Sequence, residues 1–150
     1  MPVLHLGVID VPYSQARGAK AKRSNSTVTT GDVAGWLEDE YHVMEVFANV
    51  HGADIGDALA RSVAGGLENL MMGGPVSNSV FGQAESAIHD QFQKFIDTKE
   101  MDGLGIPGVP TEAAQRGVSH RFKRPYARRA PRPSFVDTGL YRANFKAWIE

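Results

Sequence analysis

Apolar residues recur along the chain with changing period, and each change predicts a change of element. Over residues 1–11, Val3, Ile9 and Val11 fall on one parity while Leu4, Leu6 and Val8 fall on the other, which reads as a strand covered on both faces. From residue 30 the period lengthens to steps of three and four, and Val33, Trp36, Leu37, Tyr41, Met44, Phe47 and Ala48 predict one continuous amphipathic helix. Thr29 and Asp32 stand before it with capping-box spacing. A break at residues 49–52 precedes a second helix, with Asp54 as its expected cap and Ile55, Leu59, Val63, Leu67, Leu70 and Met71 as its core-facing stripe. Gly73-Gly74-Pro75 ends it, because glycine relaxes the left-handed cap and proline cannot continue a helix. A third helix, starting around residues 77–79, carries Phe81, Ala84, Ile88, Phe92, Phe95 and Ile96 and stops before Gly103. Short connections between the three predict antiparallel packing.

The pattern then dissolves. Residues 103–135 hold five prolines, four glycines and seven bases, and only 111–116 reads as a short helical turn. A loop this long inside a compact domain is expected to be ordered by lying against something else. The stretch 140–149 fits both periods: Tyr141, Ala143, Phe145, Ala147 and Ile149 alternate, yet Leu140, Tyr141, Phe145, Trp148 and Ile149 also stripe a helix. Its aromatic content and the Asp137-Thr138-Gly139 turn before it favour a strand that pairs with the N-terminal one. The expected fold is therefore α+β: a single domain over 1–150, with a three-helix antiparallel unit, a small sheet from the terminal strands, and extended basic arms or loops at 13–30 and 103–135.

Composition adds exclusions. The chain has 150 residues and no cysteine, so disulfides, thiolate nucleophiles and Cys-based zinc sites drop out. No apolar run approaches the roughly 20 residues needed to span a bilayer, and no charged segment followed by an apolar stretch opens the chain, so no membrane partner is expected. The net charge of -1 hides a partition. Residues 32–102 carry 13 acids against three bases, net -10, whereas the flanks carry 13 bases against four acids, net +9. That asymmetry predicts electrostatic complementarity with a partner or between copies.

Each chemical motif in the chain has a plainer reading beside it. Asp137-Thr138-Gly139 after Phe135-Val136 spells the aspartic-protease signature, but only 11 residues follow, too few for the flap and substrate-wall strands, so a local turn is expected. The run from Gly103 to Gly108 matches G-x-G-x-x-G, but a helix precedes it, prolines interrupt it and no acid follows at residues 120–130, so it reads as a hinge or turn. His42 with Glu38 and Glu45 has ligand spacing without a second ligand pair, and reads as a surface histidine. No catalytic residue, metal or cofactor is expected. The basic loop, residues 116–132, interleaves His120, Arg121, Lys123, Arg124, Arg128, Arg129 and Arg132 with Phe122 and Tyr126. Such a segment suits either the acidic face of a neighbouring copy, the favoured reading, or a phosphate backbone, which would make the protein a small nucleic-acid-binding module. Arg17, Lys20, Lys22 and Arg23 in the first arm join Arg121, Lys123, Arg124, Arg128, Arg129 and Arg132 as candidates to face a neighbouring subunit or a DNA channel.

The runs Pro110-Thr111-Glu112-Ala113-Ala114, Gly117-Val118-Ser119-His120-Arg121-Phe122-Lys123 and Arg132-Pro133-Ser134-Phe135-Val136-Asp137-Thr138-Gly139-Leu140-Tyr141 together resemble tailed-bacteriophage virion proteins of the head-tail junction. The closing phrase is similar to the neck and tail-completion group, including virion morphogenesis proteins. Gly7-Val8-Ile9-Asp10-Val11-Pro12-Tyr13 and residues 31–47 extend the resemblance over most of the chain. It implies a non-enzymatic virion subunit that forms a homo-oligomeric ring at the head-tail connector, as neck, tail-completion or tail-terminator protein. Its implied partners are copies of itself, portal-side connector or tail-tube proteins, and packaged DNA touched without sequence specificity. The turn Asp137, Thr138, Gly139 and Tyr141 is the motif that carries it, and the helix-rich pattern departs from the sheet-centred architecture common in such proteins.

Overall fold

A computed structural model describes residues 2–13, 28–75, 79–119, 124, 126–136 and 139–150. The two ends of the chain meet in one antiparallel ladder: β1 (Leu4–Val8) pairs with β2 (Phe145–Ile149) in a register that sets Leu4 opposite Ile149, Leu6 opposite Ala147 and Val8 opposite Phe145. Val3 N–H to the Glu150 carbonyl (2.7 Å) and Ile9 N–H to the Asn144 carbonyl (2.7 Å) extend it at both ends. The terminal sheet expected from sequence is present. The ambiguous segment before the C-terminus resolves into two elements in series, since a one-turn helix (Leu140–Ala143) launches from left-handed Gly139 (φ 79°) and β2 follows at once. Each period was real over part of the stretch.

The first predicted helix is two helices. α1 (Thr30–Tyr41) begins with the expected capping box, in which the Thr29 hydroxyl accepts from Asp32 N–H and the Asp32 carboxylate accepts from Thr29 N–H. It stops at His42, which takes a left-handed conformation (φ 52°), and α2 (Val43–Val50) restarts in a new direction. The first amides of a new helix need acceptors. Glu38 supplies them across the break, its carboxylate accepting from Met44 N–H (2.8 Å) and Glu45 N–H (3.1 Å). The break separates the two ends of the expected stripe. Val43 and Phe47 are fully buried, whereas Trp36 is 60 % exposed and does not belong to the core.

α3 (Gly52–Met71) and α4 (Gly82–Asp97) run antiparallel, because Gly66 meets Val80, the Ser62 hydroxyl accepts from Ala84 N–H (3.0 Å), and Asp54 accepts from Gln91 (2.9 Å). A Cβ at residue 66 would stand 3.1 Å from the Val80 side chain, so glycine permits this close approach. Asp54 does not cap α3 as expected. Its carboxylate contacts the ring of His51 (3.3 Å) instead, and His51 also reaches Glu100 (2.8 Å) in the 3-10 turn (Glu100–Gly103) that follows α4.

The core is aromatic and lies where α2, α4 and β2 converge. Phe92 stacks on Phe145 (centroids 3.8 Å apart, planes at 13°) and meets Phe47 edge-on (5.2 Å, 89°), with Phe95 and Tyr141 completing the cluster. Offset and edge-to-face pairs add about 0.5 to 1.5 kcal/mol beyond the area they bury. His89 ties the sheet to this cluster: Nδ1 donates to the Phe145 carbonyl (2.7 Å) and Nε2 accepts from Gln93 (2.9 Å).

Candidate functional site

The exposed chemistry is divided between a helical surface and a proline-rich segment. On the helices, Asp32, Asp39, Glu40, Glu45, Asp54, Asp57, Glu68, Asp90 and Asp97 are all exposed. Among the described residues, one Arg or Lys ion pair joins these acids to the basic flanks: Arg142 with Asp97. These exposed carboxylates are spread over four helices.

The segment after the 3-10 turn is more tightly held than an extended arm. α5 (Glu112–Arg116) forms where a helical turn was expected, capped by the Thr111 hydroxyl. It ends at Gly117, where glycine is required both by the left-handed backbone (φ 63°) and because a Cβ would stand 2.8 Å from the Ala130 carbonyl oxygen. Residues 129–136 then fold back over α5, with Arg129 N–H on the Arg116 carbonyl (3.1 Å), Arg132 N–H on the Ala114 carbonyl (3.0 Å) and Thr111 N–H on the Ser134 hydroxyl (3.1 Å). The described part of this stretch is thus hydrogen-bonded to its own chain.

The candidate bases therefore separate. Arg132 donates to the Val136 (2.7 Å) and Val118 (3.2 Å) carbonyls, and Arg129 donates to those of Ala127 (3.4 Å) and Arg124 (3.2 Å), so both fasten the fold. Arg124, Tyr126 and Arg128 are exposed at the tip of the segment. Arg17, Lys20, Lys22, Arg23, His120, Arg121, Phe122 and Lys123 lie outside the described residues, as does most of the 13–30 arm. Where that arm leaves and rejoins the described chain, Tyr13 N–H bonds the Val28 carbonyl (3.0 Å) and Pro12 bridges to Thr29.

Of the family-motif turn, Asp137 and Thr138 lie outside the described residues, and Gly139 has the left-handed backbone expected of a turn. Tyr141 is buried against Phe92, and burial, followed by the nearby charge of Glu38 and by Tyr13, holds its phenol well above the ordinary range. It is a core residue. Gly105 and Gly108, in the G-x-G-x-x-G run, also take left-handed turn conformations.

Ligand atoms of Glu38, His42 and Glu45 lie within 4.8 Å of one another. The helix break explains the convergence, since Glu38 is committed to the α2 amides and His42 pairs with Glu45 (3.2 Å) as the corner residue. A cleft of about 290 Å³ between α4 and β2 is lined by Glu85, His89, Asp90 and Lys146, but both nitrogens of His89 are already bonded in holding the sheet.

One surface differs from what the sequence pattern predicts. Val63, Leu67, Leu70 and Met71, expected to face the core, are 48 %, 56 %, 50 % and 80 % exposed. The periodicity that placed them on one face gives no sign of where that face is covered. Among the described residues, no helix is long and apolar enough to cross a membrane. No protein-family model, curated protein or solved structure matches the chain.

Proposed function

We propose that the protein is a structural virion subunit of a tailed bacteriophage that assembles with copies of itself into a ring at the head-tail connector. The observation that carries this reading is the presence of two unlike sets of exposed charges on one small chain: nine exposed acids carried by the four long helices, and a segment presenting Arg124, Tyr126 and Arg128. A ring closes through heterologous contacts, in which one patch of each copy meets a different patch on the next. Charge of opposite sign on the two patches steers that encounter and sets its register. The resemblance of the 110–141 phrases to head-tail junction proteins supplies the setting, with portal-side connector or tail-tube proteins above and below the ring. In this reading the protein acts through contact, without a cofactor.

The test is the mass of the purified protein alone and after mixing with heads and with tails that lack it. Incorporation of multiple copies at the junction supports the proposal. A protein that joins neither particle contradicts it. Binding to DNA with a steep salt dependence and no incorporation would assign the Arg124–Arg128 tip to nucleic acid instead.

A further inference from the structure

The second half of α3 carries an apolar face that none of the described residues covers. Val63, Leu67, Leu70 and Met71, with exposed Ala60 and Ala64 between them, occupy one sector of the helix. Successive residues turn by about 100°, so these six fall within roughly one third of the circumference and no charge interrupts them. Contiguous exposed apolar surface of this kind marks an interaction site.

The flank of the sector identifies the occupant. Arg61 and Glu68 stand seven residues apart on the same edge, two helical turns, as at successive e positions of a heptad whose seam is Ala60, Ala64, Leu67 and Met71. In an antiparallel pair related by a two-fold axis, an edge meets the same edge of its mate. With the axis near Gly65, each Arg61 faces the other copy's Glu68, and the small Ala60 and Ala64 meet the large Met71 and Leu67. A lipid surface would call for a basic margin. α3 has one base against Asp54, Asp57 and Glu68.

We infer that α3 packs against α3 of a second copy as an antiparallel, isologous pair. This contact is independent of the ring proposed above. A few turns of helix offer less than the roughly 800 Å² per partner of a standard interface, so the dimer exchanges and forms at about micromolar to hundred-micromolar concentration.

Sedimentation equilibrium of the isolated protein tests it across that range, with circular dichroism to verify folding. The wild type should move from monomer to dimer. Arg61→Glu and Glu68→Arg should each weaken the dimer about tenfold or more by opposing like charges, and the double variant should restore it. Leu67→Glu should leave a folded monomer. A wild type that stays monomeric, a dimer indifferent to Leu67→Glu, or a double variant no tighter than the single ones would overturn the inference. A wild type that stays monomeric in isolation yet still joins the ring at the head-tail junction would overturn it while leaving the ring intact.

Discussion

In its first half, α3 sets Ile55 and Leu59 against the aromatic core; from one turn later the same stripe carries Val63, Leu67 and Leu70 into solvent. Nothing in the residue types marks the transition. What changes is the direction of the stripe: at about 100° per residue its steps of four advance about 40° each, so Ile55 and Leu59 share the side on which Ser62 and Gly66 meet α4, whereas Leu67 has turned away from it. An amphipathic period thus records that a face is covered. Whether its own chain or another does the covering depends on tertiary placement.

The sharpest way to break this comparison is to truncate an apolar residue in each region. Phe47→Ala opens a cavity among Phe92, Phe95 and Phe145 and should cost about 3 to 5 kcal/mol in denaturant unfolding. Thr30 tests how the sheet is fastened to the helices. It is fully buried, and its hydroxyl accepts from Val11 N–H (2.8 Å) while donating to the Ile9 carbonyl (2.7 Å). Thr30→Val leaves both groups unsatisfied and should cost about 1 to 3 kcal/mol. Thr29→Ala removes the α1 cap and should cost about 1 kcal/mol.

Leu67→Ala should change the stability of the dilute monomer by no more than about 0.5 kcal/mol, as expected at an open surface position. A loss comparable with that of Phe47→Ala would show that α3 is covered within its own chain and would erase the distinction between its halves. The smallest effect concerns Asp10, whose carboxylate the Thr29 side chain and Gly31 N–H hold below the usual 3.8. A depressed carboxylate stabilises the fold above its unfolded value and loses that contribution as the pH falls through its folded value. The wild type should therefore lose stability below about pH 4 slightly more steeply than Asp10→Asn, as measured by thermal melts across that range.

Much of the architecture was legible where local grammar and tertiary packing agree. The Thr29–Asp32 capping box, the stop at Gly73-Gly74-Pro75, the short helix after Thr111 and the pairing of the terminal strands all follow from residue chemistry. The break at His42 was not legible, because both sides of it keep helical spacing and the compensating contact comes from Glu38, a residue with no sequence mark of that role. Trp36 was misplaced for the same reason. Of the basic candidates, composition identified a cluster but not the division of labour within it: Arg129 and Arg132 hold carbonyls of their own chain, whereas Arg124 and Arg128 face outward. The exposed half of α3 was hidden by its own regularity, since a stripe that meets another copy is written like one that meets a core.

Amide hydrogen exchange along α3, measured on dilute and on concentrated protein, tests most directly whether that stripe belongs to an interface. The account predicts that amides over residues 60–71 become more protected as concentration rises, while those around Phe47 and Phe92 stay unchanged. Exchange over 60–71 that is the same at every concentration would contradict it.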